Sequence, residues 1–320
     1  MSTFEFTIRV LGGLLSGYHL SHDQRLLDKA IEAGDLLYSA FSNNMDLPYV
    51  CFDFPHYFKA KINMKTRIGV SLHDRVSLAE FGTLTLEFRY EKIDVIIIRY
   101  LSALTHNNRY SRVIDRIYPA ILKQQTSDGL FSQLISFVYL CMESLTFYYS
   151  QTTNQATNHL YSVGGCSDTF YEYLLKGYIQ SNYTDQSLMD QFEISIEGIL
   201  TKLVRKNKLN GMAVVGLLAN KRFIPSFELL SCFLPGMLFL YNNNIYHNTN
   251  STLDKQGRAL LHSCFMMTNC TETGLPAEVT KVSDIQGMSL SEKQRMYLLR
   301  PEFIESFFYL KETQKDPIAQ

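Results

Sequence analysis

Apolar residues recur along this chain at helical spacing, segment after segment, and that pattern restricts the fold more than any other feature. Phe4, Ile8, Leu11, Leu15 and Tyr18 fall on one face of a helix. His22 to Phe41 reads as a second helix, with Leu26, Leu27, Ile31 and Leu37 apolar. The same spacing predicts helices near 76–90, 100–106, 111–123, 134–149, 168–181, 185–206, 226–240, 253–268 and 292–312. Between them lie breakers: Asn43-Asn44, Asn107-Asn108, Asp128-Gly129, Gly164-Gly165 and Thr273-Gly274. Helices joined in series by such loops stack as αα-hairpins, either in an open solenoid or in a closed toroid. Periodicity does not choose between the two. Short β pieces are expected at Leu47–Phe54, and the β-branched run Val95-Ile96-Ile97-Ile98 favours strand over helix. An Arg-Tyr pair stands on either side of that run, at Arg89-Tyr90 and Arg99-Tyr100, so residues 91–100 look like an insertion into a helical hairpin.

Charge removes one class of partner. Lys plus Arg number 30 against 31 Asp plus Glu, and a net charge of −1 supplies no field for nucleic acid. No apolar run reaches the ~20 residues that span a bilayer, since Leu229 to Tyr241 is broken by Pro235-Gly236. Ser2-Thr3-Phe4-Glu5 does not open a signal peptide. Three N-glycosylation triplets nevertheless occur, at Asn182-Tyr183-Thr184, Asn250-Ser251-Thr252 and Asn269-Cys270-Thr271. The chain lacks Trp but has 20 Tyr and 21 Phe, which suit either a core or the stacking of sugars.

Three acidic clusters stand at predicted helix starts. Glu5 precedes Arg9 by one turn, near Gly12-Gly13. Gly164-Gly165-Cys166-Ser167 leads into Asp168, with Glu172 one turn on. Arg300-Pro301-Glu302 opens a third helix, with Pro301 suited to its first position and Glu305 following. Each cluster taken singly reads as capping, because first-turn acids complement the helix dipole. Together they read differently, because alternate helices of a hairpin array run parallel and collect their N-termini on one side. Carboxylates gathered there suit glycoside hydrolysis, in which one acid protonates the leaving oxygen and another activates water.

The residues around these clusters carry a resemblance. Phe4-Glu5-Phe6-Thr7-Ile8-Arg9-Val10-Leu11-Gly12-Gly13-Leu14-Leu15-Ser16-Gly17-Tyr18-His19-Leu20 resembles a signature of the class I α-1,2-mannosidases, glycoside hydrolase family 47. Leu78-Ala79-Glu80-Phe81-Gly82-Thr83-Leu84 through Arg89 is similar to a second motif, and Gly164 through Lys176 to a third. Cys232-Phe233-Leu234-Pro235-Gly236-Met237, Thr273-Gly274-Leu275-Pro276-Ala277-Glu278 and Tyr297 through Ser306 follow in the family's order.

The resemblance implies an all-α fold, an (α/α) barrel of helical hairpins, here an incomplete (αα)7 toroid in which residues 1–320 form a single partial catalytic domain. Hairpins at both ends of the family's domain are expected to lie outside this sequence. It further implies inverting removal of α-1,2-linked mannose from N-glycans, with Glu5 as the acid-side carboxylate and Asp168 and Glu302 as the other two catalytic carboxylates. Arg9, Glu80, Glu278, Arg300 and Glu305 would line the mannose pocket, each with a structural ion pair as its alternative. Cys232 and Cys264 match the family's disulfide, and buried thiols are the expectation for Cys51, Cys141, Cys166 and Cys270. A calcium ion is implied as cofactor, although the Thr that ligates it in the family falls beyond Gln320, so no metal ligand is assigned. The expected partners are high-mannose N-glycans on glycoproteins, in the lumen of the endoplasmic reticulum or Golgi. A membrane anchor would belong to a longer form.

Two departures bear on specificity. Cys166 stands where endoplasmic-reticulum members carry Arg, as in the Golgi and secreted subgroup. Leu229 replaces a His, a change shared with quality-control members. The alternatives are therefore a quality-control mannosidase or glycan-recognition protein, or an inactive gene fragment.

Overall fold

The computed structural model describes residues 2–41, 48, 75–88, 101–107, 109–123, 125–136, 160–247, 251–290 and 296–314. Several expectations lie outside them: most of the β piece at Leu47–Phe54, the Asn43-Asn44 break, the insertion at 91–100, Asn250, Cys51 and Cys141. The chain forms two compact units, each discontinuous in sequence. The first takes in Met1–Gln125, Leu134–Gln155 and Lys176–Met189; the second takes in Thr126–Gln133, Ala156–Leu175 and Asp190–Gln320.

The first unit opens with α1 (Thr3–Glu5), which continues through a π-helical stretch at Phe6–Leu11 into α2 (Gly12–Ser21). Then comes α3 (Gln24–Tyr38), the clearest amphipathic helix of the unit. Asp23 caps it by accepting from the Arg25 N–H at 3.0 Å, and the bonds from Arg25 hold the Asp23 carboxyl down at about 2. Leu27, Ala30, Ala33, Gly34 and Leu37 form its buried face. Gly34 is needed because a Cβ there would run into Leu101.

Strand β1 (Arg75–Ser77) leads into α4 (Leu78–Gly82) and α5 (Thr85–Phe88), so the helix expected over 76–90 starts late and breaks at Thr83–Leu84. The cause is local: Ser77 stays extended and caps α4 with its hydroxyl. α6 (Leu101–Thr105), α7 (Arg109–Ile114) and α8 (Ile117–Leu122) follow. The helix expected over 134–149 opens instead as β2 (Leu134–Ser136), antiparallel to β1 with Val76 opposite Ile135.

Strand β3 (Leu160–Tyr161) and the start of α9 (Asp168–Gln180) belong to the second unit, residues 176–189 to the first, and α10 (Gln186–Gly198) runs back into the second, ending in a π turn at Ile199–Leu203. That turn ends the helix expected to reach 206, because Val204 is extended and starts β4 (Val204–Lys206). Strands β5 (Ala213–Val215), β6 (Leu217–Ala219), β7 (Arg222–Ile224) and β8 (Ser226–Glu228) follow, none of them anticipated from periodicity. Asn220 and Lys221 both take positive φ in the two-residue turn joining β6 to β7, the geometry that matches strand twist in a hairpin.

A short 3-10 stretch at Leu229–Phe233 leads into α11 (Leu234–Tyr241), and α12 (Thr252–Thr268) starts at a Ser251 cap. β9 (Val279–Ser283) pairs antiparallel with β8 on one side and β10 (Gly287–Leu290) on the other. The last helix, α13 (Glu302–Gln314), begins ten residues later than periodicity predicts, and Met296–Pro301 lie outside it. The Ser306 hydroxyl ties α13 to the disulfide segment: it accepts from the Gly236 N–H at 2.8 Å and donates to the Cys232 carbonyl.

The Cys232–Cys264 disulfide is formed, joining the 3-10 stretch ahead of α11 to α12 with Cα atoms 5.9 Å apart. Cys166, expected to be buried, is an exposed thiol, because its backbone turns through φ 72° ahead of α9 and points the side chain outward. Asn182 and Asn269, in two of the glycosylation triplets, are exposed. Among the described residues no helix is long and apolar enough to cross a membrane.

Candidate active site

Asp168 is the first residue of α9, and the turn before it explains its placement. The Gly164 carbonyl accepts from both the Ser167 N–H, at 3.1 Å, and the Asp168 N–H, at 3.0 Å, so the chain coils directly into the helix. Phe170 and Tyr171 anchor that first turn in the core against Phe131, whose N–H donates to the Tyr171 hydroxyl. The Asp168 carboxylate accepts from its neighbour's N–H, Thr169, at 2.8 Å. Burial nevertheless raises its pKa to about 6, assisted by the like charges of Glu172 and Glu228.

Glu302 is likewise the first residue of its helix. The Pro301 carbonyl accepts from Glu305 N–H at 2.8 Å, so Pro301 sits just ahead of the helix rather than inside it. Burial again dominates and lifts the Glu302 carboxyl to about 7. Arg300 opposes the rise, while the negative charges of Asp168 and Glu305 add to it. Glu302 Oε2 is buried and has no hydrogen-bond partner among the described residues. Asp168 and Glu302, 134 residues apart in sequence by their numbers, therefore face each other electrostatically.

Glu278 and Arg300 form the neighbouring ion pair. Arg300 Nε lies 3.1 Å from Glu278 Oε2 and 3.3 Å from Oε1, and the Leu298 N–H donates to Oε1 at 3.2 Å. Leu299, at φ 58°, supplies the kink that brings Arg300 back toward Glu278. Glu305 sits one turn into α13, half-buried.

Glu5, Arg9 and Glu80 belong to the first unit. Glu5 and Arg9 pair one helical turn apart and both are well exposed, and the bond to Glu5 raises the Arg9 pKa. Glu80 completes a capping box: its Oε2 accepts from the Ser77 N–H and hydroxyl at 2.9 Å each, while Ser77 Oγ accepts from the Glu80 N–H.

Sequence reasoning missed Glu228. Its carboxylate accepts the Gly165 N–H at 2.8 Å, and its pKa is raised by burial and by Glu278. The available signal was an acidic residue beside Leu229, the position at which the family's His is replaced. Leu229 itself is fully buried, its N–H donating to the Glu278 carbonyl at 2.8 Å.

Comparison with known proteins bears on this arrangement directly. The model of glycosyl hydrolase family 47 matches residues 1–320. The chain belongs to that family. It is 31% identical to the endoplasmic reticulum mannosyl-oligosaccharide 1,2-alpha-mannosidase of Rattus norvegicus, over 99% of this chain and 44% of the relative. It is 29% identical to the mannosyl-oligosaccharide 1,2-alpha-mannosidase of Candida albicans, over 97% of this chain and 53% of that protein. The chain thus spans about half the length of these relatives. Its structure is similar to that of the alpha-1,2-mannosidase from Trichoderma reesei, with a TM-score of 0.75 and 22% identity, covering 99% of this chain and 65% of that one. This likeness places the family 47 chain in the mainly helical (α/α) barrel class, as helical periodicity and motif order together imply.

Proposed function

We propose that this family 47 chain is an inverting glycoside hydrolase that removes α-1,2-linked mannose from N-glycans of glycoproteins, within the lumen of the secretory pathway. The observation that carries this reading is the Asp168–Glu302 pair, two half-buried carboxyls beside one another in charge, whose pKa values are raised to about 6 and about 7. Inversion needs one protonated and one ionised carboxyl on opposite sides of the scissile bond, roughly 6.5–9.5 Å apart to admit a water. A raised pair meets the first need, because like charges resist double ionisation.

On this reading the protonated member gives its proton to the glycosidic oxygen, which leaves with the bonding electrons. The ionised member takes a proton from water as that water attacks C1 from the opposite face. The two groups titrate together, so the acid and base roles belong to the pair. Glu5 is proposed to act on the acid side. Arg300, oriented by Glu278, is suited to donate to mannose hydroxyls, with Glu305 beside it in the second unit, and sugar-binding roles are proposed for Arg9 and Glu80 from the motifs in which they stand.

High-mannose glycans are the proposed substrate, supported by relatives named mannosyl-oligosaccharide mannosidases. Endoplasmic reticulum or Golgi residence is proposed on the same ground, with the Cys232–Cys264 bond in agreement. The recognition-only alternative draws no support from relatives named as mannosidases. Calcium is implied by the family resemblance. Among the described residues, however, no group of three or more His, Cys, Asp or Glu is placed to hold a metal ion. No step above runs through it.

The deciding experiment follows mannose released from a high-mannose N-glycan by proton NMR, for the chain and for a longer form of it. Appearance of β-mannose first is expected. Initial α-mannose would overturn inversion, and no release alongside measurable glycan binding would overturn hydrolysis.

A further inference from the structure

Glu228 ends β8, yet its carboxylate serves no purpose in the sheet. Oε2 accepts the Gly165 N–H at 2.8 Å, and Gly164 packs so closely that a Cβ on it would land on the same oxygen. The Gly164 carbonyl in turn receives the N–H groups of Ser167 and Asp168, so the turn gripped by Glu228 is the one that launches Asp168. On its backbone side Glu228 stands opposite Val279 in the β8–β9 register, and the next N–H, of Leu229, donates to the Glu278 carbonyl. Glu278 then holds Arg300, two residues ahead of Glu302. Glu228 and its neighbour Leu229 thus join the approach to Asp168 with the approach to Glu302.

We propose that Glu228 is a positioning residue, whose carboxylate fixes the Gly164-Gly165 turn and sets the place and charge environment of Asp168 relative to the Glu278–Arg300 pair. The inference rests on the reading of Asp168 as a reacting carboxylate. A neutral amide could make the same single hydrogen bond, so the turn alone does not call for a charge. Burying a carboxylate beside Asp168 and Glu278 costs free energy, and holding a proton on Asp168 is the effect that such a charge has. The groups that face Asp168 are Thr169, which donates to it, and Glu172, Glu228 and Glu302, which repel its charge. Glu228 is the member of that set which also builds the turn.

Three substitutions separate turn from charge. Glu228→Gln keeps an acceptor for Gly165 and removes the charge. Glu228→Ala removes both. Glu228→Asp keeps the charge and withdraws it by one methylene. The readouts are the Asp168 carboxyl titration by carbon-13 NMR, assigned with Asp168→Asn, and the pH profile of kcat/KM for mannose release.

Glu228→Gln is expected to lower the Asp168 midpoint, by less than the loss of burial would, with the corresponding limb of the profile moving the same way. Glu228→Ala is expected to lose a further factor of about 10²-fold in kcat, as misplaced reacting groups do. Glu228→Asp is expected to keep the limb in place while lowering kcat. An unmoved Asp168 midpoint in Glu228→Gln would overturn the proposal. Should that variant not fold, wild-type kcat in Glu228→Asp would overturn it instead. If the unsubstituted chain and its longer form release no mannose while the midpoint still falls, the proposed hydrolysis fails and the coupling of Glu228 to Asp168 stands.

Discussion

Glu80 and Glu302 both occupy the first turn of a helix, and the two carboxylates end in different surroundings. In the first unit, Glu80 spends its carboxylate on the Ser77 N–H and hydroxyl, the work that a first-turn acid ordinarily does. In the second unit, Glu302 has a buried oxygen with no hydrogen-bond partner among the described residues, beside the negative charges of Asp168 and Glu305. Glu5 and Asp168 differ in the same sense. Glu5 is paired with Arg9 one turn away, whereas Asp168 is half-buried among like charges. Position at a helix start therefore does not decide what a carboxylate does. Burial and the sign of its neighbours do, and in the second unit both keep a proton on an acid near neutral pH.

The sharpest attempt to break this contrast is Glu302→Gln. On the proposed function it lowers kcat for mannose release by about 10²–10⁴-fold, while glycan binding stays measurable by calorimetry. Equal activity in the variant would remove Glu302 from the chemistry and with it the distinction from Glu80.

The disulfide comes next. Cys232 and Cys264 close a loop of sequence separation 32 within the second unit, where the Ser306 hydroxyl bonds α13 to the same segment. Replacing both by Ser is expected to cost about 2–4 kcal/mol in urea unfolding. The double variant should also become insensitive to added reductant. A transition that shifts with reductant in that variant would place the stabilising bond elsewhere.

Asp168 and Glu302 also give stability a dependence on pH. In the folded state the Asp168 and Glu302 carboxyls titrate near 6 and 7, above the unfolded carboxylate range near 4. Between those limits the folded chain binds more protons than the unfolded one, so these groups make stability fall as pH rises from about 4 to about 7. With the linkage energy discounted by more than half because water screens these half-exposed groups, Asp168→Asn with Glu302→Gln should raise stability at pH 8 by about 1–3 kcal/mol and change it little at pH 4. The same gain at both values would show that the carboxyls are not held protonated by the fold.

Part of this contrast was legible in the residues. Long helices announced themselves, since α3 and α12 carry several turns of apolar spacing. The strands did not, because a three-residue strand such as β8 holds too few alternations to register against helix. Asp168 and Glu302 were found through motifs local in sequence. Glu228 was not, because its partner Gly165 lies 63 residues away and only the folded chain makes it part of the site. The capping of α4 could be read in Ser77 and Glu80, three residues apart. The raised pKa of Glu302 could not, because desolvation is a property of the packed environment.

A smaller effect is expected at Glu80. Glu80→Ala removes half of a capping box and should cost about 0.5–2 kcal/mol of thermal stability, whatever the residue does for sugar. Glu80→Gln keeps an acceptor for the Ser77 N–H and should recover most of that loss. If the Gln variant is stable but releases mannose slowly, Glu80 has a second role beyond its cap.

Arg9 gives the smallest stability effect and the cleanest separation of roles. Its side chain is 71% exposed and that of Glu5 47%, and they meet one helical turn apart, so water competes for both charges. Arg9→Ala should leave the thermal midpoint unchanged within error. An ion pair that serves only the helix would then leave mannose release unchanged as well. The proposed pocket role demands the opposite, a raised KM as a guanidinium donor to the sugar is lost, with far-UV circular dichroism and the unfolding midpoint unmoved. Arg9→Lys keeps the charge but not the planar fork, so it should recover little of the affinity if the donors are used in pairs. Full recovery by Lys would show that Arg9 acts only through its charge on Glu5.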